Sequence, residues 1–203
     1  MYLSITHKDN LQPFSDLENI VRQINRSPGK IYLLHGHSSV FTTCLMIGGA
    51  IRQQIAVVDG SMRFNSYLHS NVAKTLHILP KQLLQKTYIT RSFTAFQTES
   101  AITTKLPRFL KQTHCPMVIV LGLLGTYYDE QVKPHECRQS LLRIIHTFRE
   151  LTTQNIHILI ADVEVPNPPL GKHGLFSLIR DSADIVLIIK PNNYEPNLIT
   201  SRI

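Results

Sequence analysis

Short apolar runs alternate along this chain with longer stretches in which apolar residues recur every three or four positions. The run Met117–Leu121 contains no polar residue, which predicts a strand covered on both faces. In His135–Leu151, the residues Cys137, Leu141 and Phe148 fall on one stripe at helical spacing, which predicts a helix. The same patterns predict strands at Ile31–His35, Ile55–Asp59, Thr87–Phe93, Ile156–Ala161 and Ile185–Ile189, a last edge strand at Leu198–Ile203, and helices at Phe41–Gln53, Tyr67–His77, Pro80–Gln85 and Ala95–Leu110, the last disturbed by Pro107.

This alternation predicts an α/β fold with a mainly parallel, twisted sheet and helices on both faces. The last two predicted strands have no helix between them, so we expect an antiparallel extension at the C-terminal edge. Residues 1–26 are interpreted as an N-terminal appendage and residues 27–203 as the core domain. The loop Val163–Phe176 holds three prolines and two glycines. It is too long for a simple connection, and such loops are often functional.

Composition adds limits to this picture. A chain of 203 residues with 43% hydrophobic residues suits one domain with a continuous core. Its three cysteines, Cys44, Cys115 and Cys137, form no CxxC pair, so we expect reduced thiols. Residues 1–10 show no apolar signal-peptide core, and no apolar run approaches the ~18 residues of a membrane span. The expected location is therefore cytoplasmic (nucleoid) or nuclear, without secretion or membrane association.

The positive charge of the chain is unevenly distributed. The formal net charge is +7, and the segment Asn71–Cys115 holds seven Lys or Arg residues against one acid, Glu99. Such a basic segment favours polyanions through counterion release and predicts nucleic-acid binding. Alternatively, the segment forms a basic face exposed to solvent, or it binds an acidic protein partner. The seven bases are Lys74, Lys81, Lys86, Arg91, Lys105, Arg108 and Lys111.

Four segments, taken together in this order and spacing, carry a resemblance to a known family. They are Ile31–Thr43, Ile55–Phe64, Ile78–Phe93 and Met117–Asp162. The first resembles a strand, phosphate loop and helix start, and the third ends in an Arg-x-Phe pattern. Together they resemble the core of the RecA/RadA-type recombinases, which implies a RecA-like P-loop NTPase fold over most of the chain.

The first nucleotide motif departs from the family pattern. A phosphate loop reads G-x-x-x-x-G-K-[ST], in which amides cradle phosphate and the Lys neutralises its charge. Gly36 holds the first position, but Phe41 stands at the second Gly and Thr42 at the Lys, so that Thr43 supplies only the hydroxyl. A bulky Phe41 hinders the close backbone approach that Gly permits.

The other catalytic positions depart as well. The resemblance places the magnesium-orienting Asp on Leu121, the catalytic Glu on Ser61 and the polar sensor near Val163. Asp59 matches the family, but it is not the catalytic base there. Since phosphoryl transfer depends on such positioning and electrostatics, we expect no ATP hydrolysis, no catalytic residue and no cofactor.

The resemblance implies a recombinase paralogue that assists homologous recombination or DNA repair. Its expected partners are DNA and a RecA-like recombinase or paralogue subunit, and self-association to a homo-oligomer stays open. In this family two loops after adjacent strands touch DNA, and the matching stretches are Tyr127–Arg138 and Val163–Arg180. The predicted phosphate contacts are Lys105, Arg108 and Lys111 from the basic segment, and Lys133, Arg138, Lys172, His173 and Arg180 from the two loops.

Two other functions are compatible with the sequence. A scaffold or regulatory subunit of another assembly would bind no DNA, and the Pro-rich, apolar Val165–Leu170 suits such a partner surface. Alternatively, Gly36–Val40 is similar to the G-x-S-x-G elbow of α/β-hydrolases, with Ser38 as nucleophile and Asp162 and His173 as acid and base. Ten histidines are present without zinc-finger spacing, so no metal site is predicted.

Overall fold

The computed structural model describes residues 3–7, 10–14 and 17–190, with side chains from residue 17 onward. Eight strands form one sheet in the order β2-β1-β8-β3-β7-β6-β4-β5. The strands are β1 (Leu3–His7), β2 (Asn10–Phe14), β3 (Ile31–Gly36), β4 (Ile55–Asp59), β5 (Thr87–Arg91), β6 (Met117–Leu121), β7 (His157–Ala161) and β8 (Ile185–Ile189). The helices are α1 (Leu17–Arg26), α2 (Val40–Ala50), α3 (Ser66–Thr75), α4 (Pro80–Gln85), α5 (Ala95–Ser100), α6 (Leu106–Thr113), α7 (Pro134–Thr153) and α8 (Leu175–Ser182).

Six neighbouring strands, β8, β3, β7, β6, β4 and β5, run parallel, which confirms the predicted α/β class with a mainly parallel sheet. Strands β3, β4, β6 and β7 read as apolar runs because helices cover both of their faces. Buried residues of α1 to α4 pack on one face, and buried residues of α5 to α8 pack on the other. We call these the α1–α4 face and the α5–α8 face.

The predicted antiparallel extension at the C-terminal edge stays a prediction, because it depends on Leu198–Ile203 pairing with Ile185–Ile189. This segment is β8, which runs parallel to β3, with α8 supplying the crossover that parallel strands need. The antiparallel strands come from the other end of the chain, where β1 pairs with β8 and β2 pairs with β1. The predicted strand Leu198–Ile203 lies outside the described residues.

The segment predicted as an N-terminal appendage shares the sheet and its core. Strands β1 and β2 extend the sheet, and Ile20 and Ile24 of α1 are 1% exposed within the core of the α1–α4 face. Burial of two isoleucines on one stripe explains why α1 folds against α2 rather than standing apart.

The predicted helix Ala95–Leu110 is divided at its proline. A wide π-helical turn, Ala101–Lys105, separates α5 from α6, and Pro107 lies in the first turn of α6. Since proline has no amide hydrogen and its ring crowds the carbonyl four residues earlier, a helix tolerates it best near such an irregular start. Among the described residues, no helix combines the length and apolar character that crossing a membrane requires.

Candidate functional site

The four segments that resemble the recombinase core meet at the carboxyl edge of the parallel sheet. Asp59 of β4 lies beside Leu121 of β6, which lies beside Ala161 of β7. In turn, β3 pairs with β7 and β8, so Gly36 lies beside Ile189. In parallel α/β sheets this edge is where ligands bind, so it is the first place to search for a site.

Gly36 makes the turn after β3 follow the neighbouring strand closely. Its φ of +112° lies in the region that favours glycine. A Cβ at this position would collide with the carbonyl oxygen of Ile189, which accepts a hydrogen bond from the His37 amide at 2.8 Å. The contact with β8 therefore accounts for glycine at this position without a ligand.

The turn after Gly36 is short, and the amides of His37, Ser39 and Val40 donate to protein acceptors. Helix α2 begins at Val40, so only three residues separate it from β3. The amide of Ser39 donates to Nδ1 of His37 at 3.3 Å, and the amide of Val40 donates to the His37 carbonyl at 3.0 Å. The Thr43 amide donates to the Ser39 carbonyl at 2.9 Å. These amides therefore stabilise the turn itself.

The residues matched to the end of the phosphate loop all lie within α2. Phe41 is 6% exposed and packs in the core, with the guanidinium of Arg63 4.9 Å from its ring centroid. Thr43 is 2% exposed, and Thr42 is half-buried. These three positions therefore pack as part of the first turns of α2.

Ser61 fills the space between the ends of β4 and β6. Its hydroxyl donates to the Gly122 carbonyl at 2.7 Å, and a Cβ on Gly122 or Gly125 would collide with that hydroxyl. Gly122 also needs glycine for its φ of +62°. At the position where the family has its catalytic Glu, this chain therefore has a packed structural contact.

Two buried carboxylates at this edge are bound to backbone amides. Asp59 accepts from the amides of Arg63 at 2.9 Å and Phe64 at 3.1 Å, which shapes the turn after β4. Asp162 accepts from Leu124 at 2.8 Å and Val163 at 2.9 Å, which joins β7 to the turn after β6. Burial raises the pKa of Asp162 to about 6, although both amide bonds act in the opposite direction.

The three residues of the hydrolase alternative are not assembled into a triad. Within the described part of the chain, no hydrogen bond joins Ser38, Asp162 and His173, and both Asp162 oxygens accept from backbone amides. Gly36 is the one residue of this turn with a positive φ, so Ser38 lacks the strained backbone of a nucleophile elbow.

The two loops predicted to contact DNA pack against each other. Lys172 is 2% exposed, and its ammonium donates to the carbonyls of Tyr127 at 2.9 Å and Asp129 at 2.5 Å. Gly171, with φ +79°, lies against Pro134. The structure corrects the assignment of Lys172 as a phosphate contact, because its charge is used to hold the loops together.

The remaining loop bases are exposed but accompanied by acids. Lys133, Arg138, His173 and Arg180 reach solvent, and Arg180 lies 3.6 Å from Asp181. The stretches Tyr127–Arg138 and Val163–Arg180 contain four acids and four Lys or Arg residues, one of which is the buried Lys172. These loops therefore present a mixed surface rather than a basic one. The acids are Asp129, Glu130, Glu136 and Glu164.

The sheet divides the basic segment Asn71–Cys115 into two groups. Lys105, Arg108 and Lys111 belong to α6 or the turn before it, on the α5–α8 face, and all three are exposed. Lys74, Lys81 and Lys86 lie on or next to α3 and α4, on the α1–α4 face. Arg91 donates to the Phe64 carbonyl at 2.6 Å and lies 3.6 Å from Asp59. The basic segment therefore does not form one continuous surface.

A surface that the sequence patterns did not indicate surrounds β5. This strand pairs only with β4 among the described strands, so one side of its backbone lacks a neighbouring strand. Phe93 is 63% exposed and Phe96 64%, close to a cavity of about 180 Å³ lined by Tyr88 and Phe109. We call β5 with its exposed apolar residues the β5 surface. These residues are Met62, Tyr67, Leu79, Leu84, Tyr88, Ile89, Phe93 and Phe96.

No protein-family model and no curated protein sequence matches this chain. Nor do the described residues bring three or more His, Cys, Asp or Glu side chains together as metal ligands.

Proposed function

We propose that this chain is a non-catalytic, RecA-like accessory protein of homologous recombination or DNA repair, which acts by binding DNA, a recombinase partner or both. The observation that carries the proposal is the closed turn between β3 and α2. A phosphate loop works by presenting unpaired amides and a Lys to the phosphates. Here the amides of His37, Ser39 and Val40 donate to protein acceptors, and Thr42 replaces the Lys.

The packing of the other motif positions supports the same proposal. Ser61 seals the gap beside Gly122, and Leu121 is fully buried where the family holds magnesium. With Leu121 and Ser61 at the positions of the metal ligand and the base, the matched positions lack the electrostatic groups that phosphoryl transfer requires. Binding is then the activity that this fold retains.

Partner binding is supported by the β5 surface. Unpaired strand edges invite strand addition, and soluble proteins rarely leave contiguous apolar residues exposed without a binding role. Eight of the eleven large exposed apolar residues within residues 17–190 lie between Met62 and Phe96, in β5 and in the segments that precede and follow it along the chain. The same observation favours a second candidate function, a scaffold subunit that binds protein but no DNA.

The test measures binding to nucleotide, to recombinase and to DNA separately. Calorimetry with Mg-ATP should give no saturable binding at millimolar nucleotide. The recombinase of the same organism, assembled on single-stranded DNA, should retain the wild-type chain in co-sedimentation. Phe93→Ser with Phe96→Ser should reduce retention, whereas Leu142→Ser, at a 45% exposed apolar residue of α7, serves as the matched control.

Tight binding and turnover of Mg-ATP would contradict the non-catalytic assignment. Retention by a protein partner without DNA affinity at low salt would favour the scaffold. A chain that binds neither DNA nor the recombinase would refute the proposed function.

A further inference from the structure

A groove lined by basic side chains crosses the amino-edge side of the α1–α4 face. Three adjoining cavities of about 440, 500 and 390 Å³ form it. The first two share Arg22 and Arg26, and the second and third share Arg52 and His77. Lys86 lines the third cavity. We call this continuous surface the basic groove.

Each helix of this face supplies a basic residue to the groove. Arg22 and Arg26 are four residues apart on α1, so they lie on the same side, about 6 Å apart along the axis. Arg52, His77 and Lys86 follow the ends of α2, α3 and α4. Residues that are distant in sequence therefore line one groove.

Two of these residues occupy a backbone conformation that usually belongs to glycine. Arg52 has φ +60° and His77 has φ +54°, directly after α2 and near the end of α3. Helices often end in this left-handed conformation, and glycine is the usual residue there because it carries no steric penalty. Both positions instead carry long or basic side chains that line the same cavity.

The charges of the groove are largely uncompensated. Glu18 is the one acidic residue that lines the three cavities. Within residues 17–190, Arg22, Arg26 and Arg52 make no ion pair; Arg22 has only a long hydrogen bond of 3.5 Å to Asn19. Lys86 donates to the Arg52 carbonyl at 2.8 Å, which fixes the two residues beside each other.

The floor of the groove is aliphatic, and the imidazole of His77 is the one aromatic ring among the described residues that line the three cavities. It is formed by buried or partly buried aliphatic side chains, and the polar lining contains amides such as Gln82 and Gln85. Phosphate contacts hold a nucleic acid in place without selecting sequence, whereas base readout or stacking needs donors or rings directed at the bases. The aliphatic residues are Leu17, Val21, Leu76, Ile78 and Leu83.

We propose that the basic groove binds the phosphodiester backbone of nucleic acid, independently of sequence. The proposal rests on the proposed function in its choice of nucleic acid as the polyanion. It places that contact on the α1–α4 face, away from the two loops and from α6. A neutral peptide would leave the cations unpaired, whereas the anions of a phosphodiester backbone would pair with the arginines and the lysine of the groove.

The test compares two triple variants that remove equal charge. Arg22→Gln, Arg26→Gln and Arg52→Gln alter the groove, whereas Lys105→Gln, Arg108→Gln and Lys111→Gln alter the other face. Fluorescence anisotropy against a labelled duplex and a labelled single strand is measured between 50 and 200 mM salt. The groove variant should lower the slope of log affinity against log salt by about 2–3 for the duplex, and weaken binding more than about 10-fold. The α6 variant should change the slope by less than about 1.

A third variant separates charge from structure. Replacing the same three arginines by lysine keeps the charge, so it should retain most of the salt slope, and circular dichroism should show equal folding of all variants. Loss of the slope in the lysine variant would overturn the proposal.

The remaining outcomes distinguish failure of the groove proposal from failure of the proposed function. Weakening by the α6 variant alone would overturn the groove and keep DNA binding as a function. Polyglutamate that competes as well as duplex DNA would overturn the phosphodiester assignment in favour of an acidic protein partner. A wild-type chain that binds neither nucleic acid at 50 mM salt would overturn the groove, while retention by the recombinase would still support the proposed function.

Discussion

The two edges of the parallel sheet use their polar groups in opposite ways. At the carboxyl edge, Asp59, Asp162 and Lys172 are buried, and each binds backbone groups of a neighbouring turn. Near the amino edge, Arg22, Arg26 and Arg52 are exposed and have no ion-pair partner in the described part of the chain. In α/β sheets ligands bind at the carboxyl edge as a rule. Here three polar groups at that edge stabilise turns, so we expect their substitution to alter stability, and from the proposed groove we expect substitutions near the amino edge to alter binding.

Of the substitutions that test this comparison, Phe41→Ala at the carboxyl edge should lower the free energy of unfolding most. Phe41→Ala removes a core side chain from the start of α2, and such truncations destabilise proteins by about 3–5 kcal/mol. Urea unfolding measures the loss. Thr42→Ala, at the neighbouring half-buried position, is the control and should cost much less. Equal losses would show that Phe41 does not pack as described.

Substitution of Lys172 should cause the second-largest loss of stability. Lys172→Met keeps the length of the side chain but removes the donors that bind the Tyr127 and Asp129 carbonyls, which should cost about 1–3 kcal/mol. Hydrogen exchange should quicken in residues 127–134 and 163–174. Protection that is unchanged in both stretches would argue against Lys172 as their link.

The pH dependence of stability should report on Asp162. Its pKa is about 6 in the folded chain, above the value of about 3.9 in an unfolded one, so the folded state binds the proton more tightly. This stabilising contribution is therefore complete below pH 4 and is lost as the pH rises through 6. Between pH 4.5 and 7 the loss should amount to about 1–2 kcal/mol.

The control for this prediction is Asp162→Asn, which cannot ionise. Urea unfolding of both proteins at several pH values isolates the carboxyl, because other titrating groups are shared. A wild-type minus variant difference that stays constant from pH 4.5 to 7 would disprove the assignment.

The smallest effect should come from Arg52, and it has the opposite sign. Arg52→Gly relieves the strain of the left-handed backbone and should stabilise the fold by about 0.5 kcal/mol. For nucleic-acid binding, the slope of log affinity against log salt should become smaller by about 1. His114, with φ +53° after α6, is the matched position outside the groove. His114→Gly should give a similar stabilisation and leave binding unchanged.

Local patterns in the sequence were sufficient for the class of fold and most of its elements. Apolar runs predicted β3, β4, β6 and β7, because a strand that is covered on both faces has apolar residues at nearly every position. The stripe through Cys137 and Leu141 predicted α7, since helical burial repeats every three to four residues. Pro107 predicted the break between α5 and α6, although not the π-helical turn that accommodates it.

The sites depended on contacts that no local pattern contains. Lys172 is of a residue type that commonly contacts phosphate. Only its position beside Tyr127 shows that its ammonium is buried and binds a backbone carbonyl. The bases between Asn71 and Cys115 are close in sequence, yet the chain passes around β5 and the sheet separates them onto two faces.

The sequence by itself thus determined the α/β class, most of the secondary structure and the absence of a complete G-x-x-x-x-G-K-[ST] motif after β3, because each depends on neighbouring residues or on residue type. Only the tertiary structure decided which charges act together. Arg22, Arg52 and Lys86 become neighbours because α1, α2 and the turn after α4 pack side by side on one face of the sheet. The physical reason is that charges interact through space, and the fold rather than the order of residues sets those distances.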